Sequence, residues 1–247
     1  MIKFLMQTFP NFPSENDFEN WEVFNHEIYL KSNEEKKKEI RRATCLARYN
    51  IEKEKKYSWM ENYFFSDLNI EQLENKTLLD LGCFTGGRLL AWSENYKLKK
   101  SCGIDINPIF KTAADEFAKE KNINADFTIG VGEELPYDNN SFDFVVSTDT
   151  FEHVQSLEKS IEECFRVLKP GGVIAFSTWP PELLTGRTFR LVSQYAPKPP
   201  AGVSAPVEWG EPSIVINRLG DRVKDITFHR SEFKNPALSP SHMRNFL

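Results

Sequence analysis

The stretch Leu78–Arg88, LLDLGCFTGGR, decides the fold. Thr77–Leu81 is apolar on both faces, which is typical of a central parallel strand covered by helices on both sides. Three glycines then crowd a turn, and Arg88 begins a segment that we expect to be helical. Glycine adopts a positive φ readily and lets the backbone approach a ligand closely. Asp80 comes near the end of the strand, which is the edge where α/β sheets bind ligands.

The turn differs from the dinucleotide-binding fingerprint GxGxxG, because Phe84 stands where the second glycine would be. That glycine lets a pyrophosphate approach the backbone, and the carboxylate of Asp80 would in addition repel phosphate. The turn therefore suits a cationic or hydroxylic ligand better than a nicotinamide dinucleotide. Taken alone, the glycines are equally compatible with a tight turn that serves packing only.

A second short strand, Ser101–Asp105, is apolar and ends in an acid 23 residues after Gly82. This is about the spacing at which an acid at the tip of the second strand reaches a ribose diol. The remaining pattern predicts strands at Ala125–Ile129, Phe142–Ser147 and Val173–Thr178, with helices at Ile109–Lys121 and Ser156–Leu168.

Four motifs occur in order between Asn75 and Trp179, with sensible spacing: DLGCFTGG, GIDINP, EELPYDNNSFDFVVSTDTFEHV and FRVLKPGGVIAFSTW. Together they resemble the class I S-adenosylmethionine-dependent methyltransferases. The resemblance is closest to the small-molecule branch that includes ubiquinone and menaquinone methyltransferases. It implies transfer of a methyl group from S-adenosylmethionine to a small molecule, with release of S-adenosylhomocysteine.

The resemblance also implies roles for residues at the cofactor. Asp80, Gly82 and Gly86 would hold the amino-acid end and the turn, and Asp105 would accept hydrogen bonds from the ribose. Gly132 and Glu133 would border the adenine, although the family commonly has an acid at the position of Val131. The implied cofactor-binding set is Asp80, Gly82, Cys83, Gly86, Asp105, Ile106, Gly132, Glu133 and Thr148.

Asp149 and His153 follow the fourth predicted strand, and the resemblance places them as catalytic residues facing the sulfonium and the acceptor. We expect His153 to line the site, and a role as general base is a second interpretation. Glu152 and His153 lack a third ligand at metal-binding spacing, so we predict no metal.

The predicted fold is α/β, a three-layer sandwich around a Rossmann-like, mostly parallel sheet with strand order 3-2-1-4-5 and late strands after it. Residues 1–74 would form a helical N-terminal cap, and residues 75–247 the cofactor-binding domain. Val223–His229 alternates like a strand, and Ile214–Ile216 is a candidate for another.

Aromatic side chains and a proline-rich segment are the candidates for the acceptor side. Residues 180–212 would form a lid, because long loops in compact domains are usually functional or disordered. Tyr57, Tyr63 and Trp209 are the predicted substrate-pocket residues, with Trp209 folding over the pocket.

Lys31–Lys56 carries ten Lys or Arg against five Glu, with Ile40, Ala43, Ala47 and Ile51 at helical spacing. Because the charges are mixed, we favour a solvated amphipathic helix over a nucleic-acid-binding patch. Two alternatives to the small-molecule enzyme stay open. One is an RNA- or protein-modifying methyltransferase, and the other is a non-catalytic binding module on the same fold.

The chain of 247 residues has a net charge of −5 and no apolar run of transmembrane length. Its beginning, MIKFLMQTFPNFP, lacks the features of a signal peptide. Four cysteines without metal-like spacing favour a reduced, cytoplasmic protein. The sequence leaves the oligomeric state open.

Overall fold

The computed structural model describes residues 26–54, 72–195 and 205–230. Two helices precede the sheet, α1 (His26–Lys31) and α2 (Glu34–Lys53). The alternating part contains β1 (Thr77–Leu81), α3 (Gly87–Asn95), β2 (Lys100–Asp105), α4 (Pro108–Lys121), β3 (Ala125–Ile129), β4 (Phe142–Ser147), α5 (Leu157–Val167) and β5 (Leu168–Phe176). After it come α6 (Leu184–Val192), a 3₁₀ helix (Pro206–Gly210), α7 (Pro212–Leu219) and a short 3₁₀ turn (Gly220–Arg222).

The five described strands form one parallel sheet in the order β3-β2-β1-β4-β5, which confirms the predicted order. Every residue of β1 is buried, and successive side chains point to opposite faces. Leu78 belongs to the core that α2, α3 and α4 cover, whereas Leu79 and Leu81 belong to the core under α5 and α7. The predicted three-layer sandwich is therefore confirmed, and each buried leucine contributes roughly 1.5–3 kcal/mol.

Local signals place the helix starts where the sequence predicts them. The side chain of Asn107 accepts a hydrogen bond from the amide of Ile109 at 2.9 Å, and Pro108 occupies the first position of α4. Proline is favoured there because its missing N–H would have had no helical partner. Ser156 caps α5 in the same way. These caps fix helices whose N-termini face the carboxyl edge of the sheet.

Strand β5 begins at Leu168 and ends at Phe176, earlier at both ends than the predicted Val173–Thr178. Helix α5 does end before Pro170, but no loop separates it from the strand. The pairing with β4 shifts between Phe142 and Phe144, because Phe142 pairs with Leu168 and Phe144 with Val173. The extra residues, 169–172, bulge out of the ladder, which is how a strand tolerates a proline and two glycines.

The predicted late strands are wrong in the described part of the chain. Val223–His229 is irregular there, and Ile214–Ile216 lies within helix α7. Val223, Ile226 and Phe228 instead pack partly buried against the core under α5, without pairing to a described strand. Here α7 instead packs Val215 and Leu219 against the core under α5.

Helix α2 packs a different face from the predicted stripe. Ala43 is exposed and Ile40, Ala47 and Ile51 are half-buried, whereas Arg41, Cys45, Tyr49 and Glu52 are buried. A Cβ on Gly87 would lie 2.2 Å from the carbonyl oxygen of Cys45, so α2 crosses α3 at backbone contact. Arg41 forms a bidentate ion pair with Glu116 on α4, at 2.8 and 2.7 Å. Polar side chains thus fasten α2 to the sheet domain.

All four cysteines of the chain are buried free thiols. Burial raises the pKa of Cys45 and of Cys164 to about 12, which keeps both thiols protonated and unreactive. None of the described helices has the length and apolar character that a bilayer crossing requires.

Candidate functional site

A cavity of about 860 Å³ opens at the carboxyl edge of the sheet. Its walls come from the turn after β1, the tip of β2, residues 130–133 after β3 and residues 148–156 after β4. Helices α2 and α3 add Arg48 and Arg88. Most of the predicted cofactor and catalytic residues therefore meet in one place, because parallel strands bring their carboxyl ends to the same edge.

Gly82 opens the turn after β1 with φ +75, and its amide donates to the carbonyl of Ile104 at 2.8 Å. A Cβ at this position would lie 2.0 Å from the hydroxyl oxygen of Thr150, so only glycine fits. Gly86 also has a positive φ, but its missing side chain faces Phe127 and Ala114, not the cavity. The predicted cofactor contact of Gly86 is accordingly not supported by its position, and its role in the structure is packing.

Asp80 is 1% exposed, and its Oδ1 has no hydrogen-bond partner among the described residues. Burial raises the pKa of this carboxyl to about 7, although the positive charge of Arg88 opposes the rise. A buried oxygen that lacks a partner costs roughly 1–3 kcal/mol. A ligand that brings an ammonium group to this wall of the cavity would satisfy the oxygen and favour the ionised carboxylate.

Asp105 is the last residue of β2, and both of its carboxylate oxygens accept a hydrogen bond. Oδ2 accepts from the amide of Phe84 and Oδ1 from the amide of Asn107, each at 2.9 Å. Burial raises the pKa of Asp105, and these backbone hydrogen bonds counteract part of the rise. The two bonds fix the carboxylate at the cavity wall, and each oxygen keeps a further lone pair for a hydroxyl donor.

The opposite end of the cavity is apolar and glycine-lined. Ile106 is 69% exposed and Val131 is 39% exposed, so both apolar side chains are accessible to a ligand in the cavity. A Cβ on Gly132 would come within 2.9 Å of the Ser160 hydroxyl oxygen. Glu133 does not stand free, because its Oε1 accepts from the amides of Gln155 and Ser156 at 2.6 and 2.9 Å. A flat apolar ring would fit between these side chains.

The loop after β4 carries the predicted catalytic residues. Asp149 has φ +50, a left-handed conformation that is strained for a residue with a side chain. Its amide donates to the Ser177 hydroxyl at 2.9 Å, and its carboxylate faces the cavity. Desolvation by the walls of the cleft raises the pKa of Asp149, against the nearby charges of Arg88 and Arg48, although the residue keeps contact with solvent. His153 lines the same wall, and its amide donates to the carbonyl of Thr150 at 2.8 Å.

Residues 79–176 match the family model described as a methyltransferase domain. The strands and most of the cavity therefore lie in a region that is similar to a methyltransferase domain. The match includes β1 from Leu79 onward, β2 to β5 and the residues after these strands that build the cavity. It begins after α2, so the N-terminal helices lie outside the matched region.

Two curated relatives are similar to part of this chain. Norajmaline N-methyltransferase of Rauvolfia serpentina is 33% identical over 106 residues, which is 42% of this chain and 36% of that protein. Malonyl-[acyl-carrier protein] O-methyltransferase 1 of Coxiella burnetii is 31% identical over 117 residues, covering 47% and 38%. The matched part thus spans less than half of the length of either relative.

The crystal structure of YcgJ from Bacillus subtilis is 29% identical to the chain. The match covers 49% of this chain and 53% of that one, with a TM-score of 0.44.

Two of the predicted substrate-pocket residues, Tyr57 and Tyr63, lie outside the described residues. The third prediction, Trp209, is corrected by the structure. Trp209 is 1% exposed, packs against Phe176 with ring centres 6.4 Å apart, and does not line the cavity at the carboxyl edge of the sheet. Its carbonyl accepts from the Thr178 hydroxyl at 3.1 Å. Trp209 is a core residue, and the side chain does not fold over the cleft.

Two arginines that line the cavity at the carboxyl edge of the sheet were not predicted from the sequence. Arg88 donates to the hydroxyl of Thr148, and its Nε lies 3.7 Å from Oε1 of Glu52, a residue of α2 that is 1% exposed. Glu52 also accepts from the indole N–H of Trp92 at 2.8 Å. Arg88 directly follows the glycine turn, and this position could have indicated that it lies at the cavity. Arg48 has no sequence motif around it that would have done so.

No group of three or more His, Cys, Asp or Glu within the described ranges is arranged to hold a metal ion.

Proposed function

We propose that the protein transfers a methyl group from S-adenosylmethionine to a small-molecule acceptor and releases S-adenosylhomocysteine. The observation that carries the proposal is the order of groups along one cavity. A buried acid without a partner, Asp80, is followed by a fixed acid, Asp105, and then by the apolar wall of Ile106 and Val131. These match an ammonium group, a ribose diol and a flat base, which are the parts of this cofactor.

The residues present fit the cofactor by their chemistry. Asp80 would hold the ammonium group, the turn at Gly82 and Cys83 the amino-acid end, and Asp105 the ribose. Gly132 and Thr148 would border the adenine and the sulfonium ends respectively. The bound cofactor supplies an activated methyl group, so the protein's main contribution is to align the acceptor, an effect worth up to ~7–11 kcal/mol in favourable cases.

The acceptor side of the cleft consists of Asp149 and His153. When an amine or a hydroxyl accepts the methyl group, it must lose a proton, and an imidazole is suited to take a proton near neutral pH. We propose His153 as the residue that faces the acceptor, with Asp149 next to it. The cavity volume of about 860 Å³ is near the upper end of the ~300–1,000 Å³ range of small-molecule sites. Such a volume suits a cofactor together with a small acceptor.

The alternatives are less well supported. The basic residues of α2 are largely paired: Lys37 lies 2.8 Å from Glu34, and Arg42 lies 2.7 Å from Glu120. A nucleic-acid surface would need such cations to be available for phosphates. The quinone branch of the family, a cytoplasmic location and the division at residue 74 remain predictions, and the buried free thiols are in keeping with a reducing compartment.

Calorimetry with S-adenosylhomocysteine tests the proposal. Asp105→Ala should weaken binding by ~1.5–3 kcal/mol, because hydrogen bonds to a charged acceptor are lost. Asp126→Ala removes an exposed carboxylate one strand away and serves as the control. An unchanged dissociation constant in folded Asp105→Ala would remove this residue from the site. A thermal shift with NAD as large as the shift with S-adenosylmethionine would contradict the proposed cofactor.

A further inference from the structure

Arg48 lies on α2, outside the matched domain, and its side chain lines the cavity. It forms no hydrogen bond or ion pair with any part of the chain that the structure describes. Its guanidinium carbon lies 5.9 Å from the centre of the Phe84 ring, in the turn after β1. The neighbouring arginines of the same helix behave differently, since Arg41 and Arg42 each form a bidentate pair with a glutamate of α4.

The second arginine of the cavity already has its charge compensated. Arg88 lies beside the buried Glu52 and donates to Thr148, as described above. Arg48 has no such neighbour at ion-pair distance, and burial together with the positive charge of Arg88 lowers the pKa of Arg48 to about 10. Arg48 is half-buried, and a charge that is partly withdrawn from water without a partner is unfavourable. The cleft therefore presents a guanidinium that an anion would stabilise.

A carboxylate is the anion that best fits the surroundings of Arg48. The guanidinium fork binds carboxylates through two parallel hydrogen bonds. The unpartnered Oδ1 of Asp80 lines the same cavity. A carboxylate oxygen and a guanidinium that line one cavity, both without a hydrogen-bond partner among the described residues, match the ammonium and carboxylate groups of an α-amino acid.

We propose that Arg48 binds the carboxylate of the amino-acid end of S-adenosylmethionine, so that the N-terminal helix α2 forms part of the binding site. This inference rests on the proposed function. Glu52, one turn further along α2, positions Arg88 beside it. Helix α2 is thus a wall of the cofactor site and not only a cover over the sheet.

The test compares two ligands and two variants by calorimetry. S-adenosylhomocysteine carries the carboxylate, and its decarboxylated analogue lacks only that group. Arg48→Gln should weaken the binding of S-adenosylhomocysteine by ~10–150-fold, the loss of affinity expected when a charge-assisted hydrogen bond is removed. The same variant should bind the decarboxylated analogue as the wild type does. Arg42→Gln removes an exposed guanidinium from the same helix and should change neither affinity.

The same measurements also distinguish a failure of this inference from a failure of the proposed function. The inference is overturned if Arg48→Gln binds S-adenosylhomocysteine normally, as it would if Arg48 served an anionic acceptor instead. The inference is equally overturned if the affinities for both ligands fall by the same factor, because Arg48 would then only maintain the shape of the cleft. Arg48→Lys keeps the charge and should lose less affinity than Arg48→Gln. Wild-type protein that binds neither ligand would refute the proposed function itself.

Discussion

Asp80→Asn should change how the stability of the ligand-free protein depends on pH. An unfolded aspartate ionises near pH 3.8, whereas burial raises the pKa of Asp80 to about 7 in the folded protein. Between these values the folded state holds one proton more than the unfolded state, so the free energy of unfolding falls as the pH rises. Each tenfold change in an ionisation equilibrium is worth ~1.4 kcal/mol, which gives a total loss of at most about 4 kcal/mol above pH 7.

The asparagine variant does not ionise, so it should escape this loss. Urea unfolding of both proteins at pH 5, 6, 7 and 8 measures the difference in the free energy of unfolding. We expect that difference to move in favour of Asp80→Asn by roughly 2.5 kcal/mol between pH 5 and pH 8, whatever its value at pH 5, because part of the loss has already occurred at pH 5. Asp126→Asn, an exposed carboxylate, should give a nearly constant difference. Parallel curves for Asp80→Asn and wild type would refute the claim that Asp80 is buried without a partner.

Two further comparisons test the turn and the corrected position of the tryptophan. Gly82→Ala should lose clearly more stability than Gly171→Ala. Both glycines have a positive φ, which costs an alanine roughly 1–2 kcal/mol, but only at Gly82 would the new Cβ also clash with a side chain, that of Thr150. Equal melting temperatures of the two variants would contradict this. Trp209→Ala should destabilise the fold by roughly 3–5 kcal/mol and leave the dissociation constant of S-adenosylhomocysteine unchanged. A weaker affinity at undiminished stability would show that Trp209 acts at the cleft after all.

The sheet domain was predictable because its signals are local. Strands β1 to β4 agree with the sequence to within one residue at each end. A continuous apolar run, a proline at the first helical turn and a serine cap each act over a few residues, so they can be read without knowing the partner. The same holds for Asp80 and Asp105, because a residue at the end of a parallel strand is brought to the ligand edge by the topology.

The features that were missed depend on contacts between distant segments. The buried face of α2 follows from its close crossing with α3 at Gly87, and this crossing leaves no periodic pattern in α2. Trp209 stands in a proline-rich segment that resembles a surface loop, yet the following helix holds it against Phe176. In the sequence, Arg48 cannot be told from Arg42, because only the fold decides which arginine meets a glutamate and which meets the cavity.

Glu133 has a consequence for anyone who wishes to redesign the cleft for a modified nucleoside. One of its carboxylate oxygens accepts hydrogen bonds from the amides of Gln155 and Ser156, which directly precede α5 and follow the loop that contains His153. A library that varies position 133 to create room for a bulkier ligand would therefore also disturb the loop that carries Asp149 and His153. Ile106 and Val131 protrude into the same end of the cavity. They are therefore further positions at which the shape of the cleft can be altered.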